Sequence, residues 1–201
     1  LTQLGLDLSP EIAYANIARV AAQAASIGRT VWVDMEGSAY TQVTLELYRR
    51  IRAERANVGI AIQSYLRRTA ADLETLIPLG ASIRLVKGAY DEPAAIAFRS
   101  RREVDESYVW LAERLLHRQS LEAGVFPGFG THDERIVSHL QRHAADAGVA
   151  KDRYEFEMLY GIRRDLQSRL ASQGHRVRVL ISYGEAWFPW YMRRLAERPA
   201  N

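Results

Sequence analysis

The sequence of 201 residues contains no cysteine. Disulfide frameworks, thiolate metal centres and cysteine nucleophiles are therefore excluded, and a reducing cytoplasmic setting is compatible with the composition. No apolar run approaches the roughly 18 residues that a membrane-crossing helix requires. Leu1 to Gly5 offers neither a basic stretch nor a long apolar one, so no signal peptide is read there, and the abrupt start reads as a piece of a longer chain. Lysine is nearly absent: Lys87 and Lys151 leave 25 of the 27 basic residues as arginine. These arginines alternate with Glu and Asp through most amphipathic segments instead of gathering on one face. The net charge of +3 therefore describes solvated helix surfaces, and no nucleic-acid partner is expected.

With 48% hydrophobic and 25% charged residues, the chain is of ordinary globular composition. Six β-branched runs recur at 30–34, 58–62, 82–86, 125–130, 154–158 and 176–181, separated by amphipathic stretches. Ser9-Pro10 opens the first helix as cap and first-turn proline, and Gly28 closes it. Further helices are predicted over 41–55, 69–78, 104–123, 133–147 and 161–173. Strands alternating with crossover helices imply α/β architecture with a parallel sheet. No linker or composition shift divides the chain, which predicts a single domain over 1–201.

A glycine-rich dinucleotide fingerprint after the first strands is also missing, which disfavours an open doubly wound sheet. The strand ends instead read Asp34-Met35-Glu36, Gln63-Ser64-Tyr65, Lys87-Gly88-Ala89, Thr131-His132-Asp133, Tyr160-Gly161 and Tyr183-Gly184-Glu185. In a closed (βα)₈ barrel such ends converge on one active site. The expectation is an incomplete TIM-like barrel that carries six of its eight strands.

The segments VWVDMEGSAYTQVTLELY (31–48), IAIQSYLRRT (60–69), IRLVKGAYDEP (83–93), GTHDERI (130–136), YEFEMLYGIRRDLQ (154–167) and YGEAWFPWYMRRLAERPAN (183–201) carry a resemblance. In that order, over nearly the whole chain, they resemble the bacterial monofunctional proline dehydrogenases. The resemblance implies a distorted (βα)₈ barrel with a final helix over its mouth and the first two strands, with a substrate-site lysine, preceding Leu1. It also implies FAD as cofactor, L-proline as substrate, Δ1-pyrroline-5-carboxylate as product and a quinone as electron acceptor. A cytoplasmic enzyme with peripheral contact to the inner face of the membrane follows from the same source.

Carried onto this sequence, the resemblance places Met35, Gln63, Val86, Lys87, Gly88, Ala89, Thr131 and His132 around the flavin. Arg84 falls near the flavin N5, with the acidic Asp34 beside it, and these two are the catalytic candidates. Tyr183, Trp190, Arg193, Arg194 and Glu197 form the substrate side, with the arginine pair clamping the proline carboxylate. Trp190 stands where relatives carry a tyrosine, and Asp91 where some carry an aromatic residue. The chemistry of the side chains is consistent with these roles. No standard side chain accepts a hydride, so a cofactor must; Gln63 can both donate and accept along a ring edge, and Gly88 lets backbone approach a phosphate.

Other readings stay open. Arg84 could serve a purely structural ion pair with Asp34 or Glu157, since an unpaired charge inside an apolar strand is costly. Lys87 could be the imine-forming lysine of a barrel lyase or aldolase. The chain could also be an inactive barrel fragment that binds a partner through its basic surface. His117, His139 and His143 fall inside helical runs and His175 before the last strand; they read as surface or packing residues, and no metal site is expected.

Overall fold

Each β-branched run becomes a strand: β1 (Val31–Val33), β2 (Val58–Gln63), β3 (Ser82–Val86), β4 (Phe126–Gly130), β5 (Glu155–Leu159) and β6 (Arg176–Leu180). The computed structural model describes residues 1–182 together with Gly184, Glu185, Trp187, Phe188 and Met192. The six strands pair in parallel in chain order, and among the described residues β1 and β6 each have one neighbour. The sheet is thus a curled half-barrel. Its helices are α1 (Pro10–Ser26), α2 (Ser38–Glu54), α3 (Thr69–Leu76), α4 (Arg101–Leu116), α5 (Arg118–Glu122), α6 (Glu134–Asp146) and α7 (Arg164–Ser172). No helix among the described residues is long and apolar enough to cross a membrane.

The α1 start is local: Ser9 Oγ accepts from the Glu11 and Ile12 amides. Three other boundaries differ from expectation. Helix α2 begins at Ser38 instead of 41, because Glu92, 54 residues away, accepts from both the Ser38 amide and its hydroxyl at 2.6 Å. The helix expected over 104–123 starts earlier, on a Ser100–Glu103 capping box, and breaks at His117. There the backbone turns to φ −60°, ψ 141°, and His117 Nδ1 caps the short helix that follows. Helix α7 begins at Arg164 instead of 161, since Gly161 (φ 84°) and Arg163 (φ 49°) hold the preceding loop in left-handed geometry.

The strand period of two sorts residues onto two faces. Ile60, Ile83, Leu85, Phe129 and Phe156 point outward, are wholly buried, and form the core with Leu73, Tyr108, Leu111, Val137 and Leu140 of the helices. The inner face is polar and small. One layer runs Ala61, Arg84, Gly128, Glu155, Arg176 and the next Gln63, Val86, Gly130, Glu157, Arg178. Glycines on this face make room for larger neighbours. A Cβ on Gly59 would meet the Trp32 ring at 2.7 Å, and one on Gly128 would meet Glu157 Oε1 at 2.2 Å.

Replacing Gly128 with alanine is therefore expected to push the Glu157 carboxylate out of place and destabilise the fold by about 1–3 kcal/mol, as overpacked sites do. Urea unfolding of the variant checks it. Unchanged stability would mean that the inner face yields more readily than its packing indicates.

Candidate active site

Arg84 occupies the middle of the inner face. Its Nε donates to Glu157 Oε2 at 2.5 Å, its Nη1 donates to Asp34 Oδ1 at 2.8 Å, and its guanidinium lies over the Trp32 ring with 4.5 Å to the centroid. Three strands thus hold one cation. The two carboxylates differ in setting: the Glu157 side chain is 7% exposed and that of Asp34 76%. Burial pushes the Glu157 carboxyl above its ordinary value, although Arg84 opposes the shift. Beside this group, Arg178 grips Glu155 with both Nε and Nη2, at 2.6 and 3.1 Å.

Above Arg84, Gln63 is buried. Its Nε2 reaches the Met35 carbonyl at 3.5 Å, and its Oε1 has no partner among the described residues. A buried amide oxygen left without a donor is costly and marks a place where a ligand donor fits. Val86 lies in the same layer, and the chain then turns at Gly88 (φ 109°), where a Cβ would meet the Tyr65 ring at 2.2 Å. Only glycine combines that dihedral with so close an approach. Ala89 follows, exposed.

Lys87 points the other way. Its Nζ lies 2.6 Å from Asp105 of α4 and 3.4 Å from Asp133 at the α6 cap. An imine-forming lysine must present a free amine to its substrate; this one is bound between two carboxylates on the helix side of the sheet. Thr131, buried, accepts at Oγ1 from the Asp133 amide. His132 accepts at Nε2 from the Leu159 amide at 2.9 Å, bridging the ends of β4 and β5. The neutral imidazole therefore carries its proton on Nδ1.

Asp34, Met35, Gln63, Val86, Gly88, Thr131 and His132 lie at or just beyond the carboxyl ends of β1 to β4, and Arg84 lies in the middle of β3. The side chains of Tyr183, Trp190, Arg193, Arg194 and Glu197, and the expected helix over the mouth, lie outside the described residues. Two residues gained weight only in the structure. Glu157 was legible at most as a pairing partner, although Glu155 and Glu157 sit at alternate positions of an otherwise apolar run. Trp32, within the first β-branched run, forms the wall under the guanidinium.

A family model described as proline dehydrogenase matches residues 2–201. A proline dehydrogenase of Deinococcus radiodurans is 42% identical over 193 residues, covering 95% of this chain and 61% of that protein. Proline dehydrogenase 1 of Bacillus subtilis is 39% identical over 201 residues, 100% of this chain and 65% of its own length. The chain thus spans a little under two thirds of these curated relatives. Among solved structures, proline utilization A from Bdellovibrio bacteriovorus, inactivated by N-propargylglycine, superposes with a TM-score of 0.88 at 26% identity over 98% of this chain and 23% of that one. The protein of the same name from Corynebacterium freiburgense, at 21% identity and a TM-score of 0.76, shares the fold.

Burial, with Arg163 as the nearby cation, holds the His132 imidazole below its usual 6.5. Folding therefore favours the neutral ring, and the stability this contributes, complete above about 6.5, is lost as pH falls through the lowered native value. Imidazole ¹⁵N shifts should show the Nδ1–H tautomer persisting below pH 6.5; an imidazolium already formed at that pH would contradict the assignment.

Glu157 has the opposite sign. Its raised native value means that stability is complete below about 4.5 and declines as pH rises from there through the native value. Glu157→Gln should remove that part of the decline in urea midpoints measured between about pH 4 and 8. An unaltered profile would show that Glu157 titrates as it does in the unfolded chain.

Proposed function

The chain belongs to the proline dehydrogenase family, and on that premise we propose that it forms most of the FAD and L-proline site of a dehydrogenase that yields Δ1-pyrroline-5-carboxylate. When bound, FAD supplies the two-electron acceptor for converting the ring C–N bond to C=N, and a quinone takes the electrons onward. A single domain over 1–201, peripheral contact with the membrane that holds the quinone, and a cytoplasmic setting belong to the same proposal.

The observation that carries it is Arg84, held by Asp34 and Glu157 on the inner face of a parallel half-barrel. The residues present suit a flavin. Gln63 Oε1, without a partner among the described residues, offers an acceptor to a ring N–H, and the Gly88 turn offers backbone where a side chain would intrude. Thr131 and His132 bring a hydroxyl and an Nδ1–H donor for phosphate or ribitol oxygens. Met35 and Val86 supply apolar wall, and Lys87 and Ala89 serve through their backbone.

Arg84 places a fixed positive charge where electron density accumulates on reduction, and its two carboxylates fix the guanidinium before substrate arrives. Asp34, exposed at the rim while its Oδ1 accepts from Arg84, would take the substrate's amine proton through water, so that the amine is deprotonated when hydride leaves. Arg193 and Arg194 would clamp the proline carboxylate, Glu197 would align them, and Tyr183 and Trp190 would wall the ring. Orientation over the acceptor is then the principal source of rate.

The purified protein should show flavin absorbance that bleaches anaerobically with L-proline. Arg84→Met should slow that bleaching by about 10²-fold and lower the flavin potential while changing proline affinity by less than about threefold. Absence of flavin, proline-independent bleaching, or a borohydride-trapped adduct on Lys87 would overturn the reading.

A further inference from the structure

Outside the sheet, α6 carries His139 and His143 four residues apart, so both imidazoles lie on the side of the helix that packs against α4. From α4, Glu113 meets them. Its Oε1 is 2.6 Å from His139 Nε2 and 3.5 Å from His143 Nδ1, and the two rings stack with centroids 6.3 Å apart. Among the described residues these form the one group of three potential ligands whose donor atoms all lie within 4.8 Å of one another. We propose that Glu113, His139 and His143 form a binding site for a divalent transition metal of the zinc class, with water completing a tetrahedral shell.

The geometry is close to what such an ion imposes. Metal–ligand bonds of about 2.0–2.1 Å in a tetrahedron set the ligand atoms about 3.3–3.4 Å apart. The His143 contact at 3.5 Å already fits. The His139 contact at 2.6 Å has to open by less than about 1 Å, and side chains one third to two fifths exposed can turn that far. In the absence of an ion, two imidazoles crowd a single carboxylate oxygen; a cation between the three groups gives each its own bond. Two nitrogens and one carboxylate oxygen suit zinc, nickel or copper, and not the all-oxygen preference of magnesium or calcium. A groove of about 620 Å³ between α4 and α6 reaches His139 and gives an ion a way in. The site is independent of the inner face, since the sheet lies between them. Its effect would be to tie α4 to α6, the two elements whose Asp105 and Asp133 also hold Lys87.

The test uses the full protein, freed of any affinity tag and metal-stripped, titrated with Zn²⁺ by calorimetry. One equivalent should bind, with each of His139→Asn, His143→Asn and Glu113→Gln weakening it about tenfold or more and the triple variant losing it. Cobalt should give the intense visible bands of tetrahedral coordination in the parent protein and not in the triple variant. Zinc should raise the melting temperature of the parent alone, by mass action, with circular dichroism confirming that the variants are folded. Zinc binding unchanged in the folded triple variant, no stoichiometric binding in the parent, or equal response to magnesium would each overturn the proposal.

Discussion

A guanidinium on the inner face of a parallel sheet costs several kcal/mol unless its charge is matched, and the interior of this half-barrel is arranged around that requirement. Arg84 is matched on three sides, by Glu157 from β5, by Asp34 just after β1, and by the face of Trp32. The placements of Glu157 and Trp32 depend on glycines in the strands between. Gly128 lies where a Cβ would collide with the Glu157 carboxylate, and Gly59 lies under Trp32. The glycines of β2 and β4 are thus part of the electrostatic design: removing bulk from two strands lets a charge on the third reach across them.

The loops that would surround a ligand are fastened to one another in the same manner. Glu92 caps α2 from the β3–α4 loop, the Phe98 amide donates to the Tyr65 carbonyl, and Leu66 bridges Ala97. His132 ties β4 to β5, and Lys87 ties the end of β3 to α4 and α6. A site whose donors are held by neighbours before a ligand arrives loses less on binding. Gln63 Oε1, buried at the end of β2, has no partner among the described residues.

Much of the fold was legible because it rests on local signals. Ser9-Pro10 started α1, the β-branched runs marked every strand, and alternation with helices set the parallel order. The boundaries that were misplaced are those set from a distance. Ser38 begins a helix because Glu92 is there to receive its amide, and no window around residue 38 contains Glu92. Arg163 in left-handed geometry delays α7, and its side chain is held by Asp165 and by the distant Glu134.

The same division holds for the site. The order of residues alone determined which side chains stand at strand ends, and the period of two sorts each strand into two faces; which face is the interior, with Gln63, Arg84 and Glu157 on it, came from the packing of the helices on the other. Sequence could not determine how far those side chains reach, because reach depends on the register between strands and on the room that Gly59, Gly128 and Gly130 leave. Nor could it name Asp105 and Asp133 as the partners of Lys87, or set Glu113 against His139 and His143 on facing helices. Periodicity is a property of one strand or helix and is written locally. Partnership between charges is a property of distance, which only the packed chain defines.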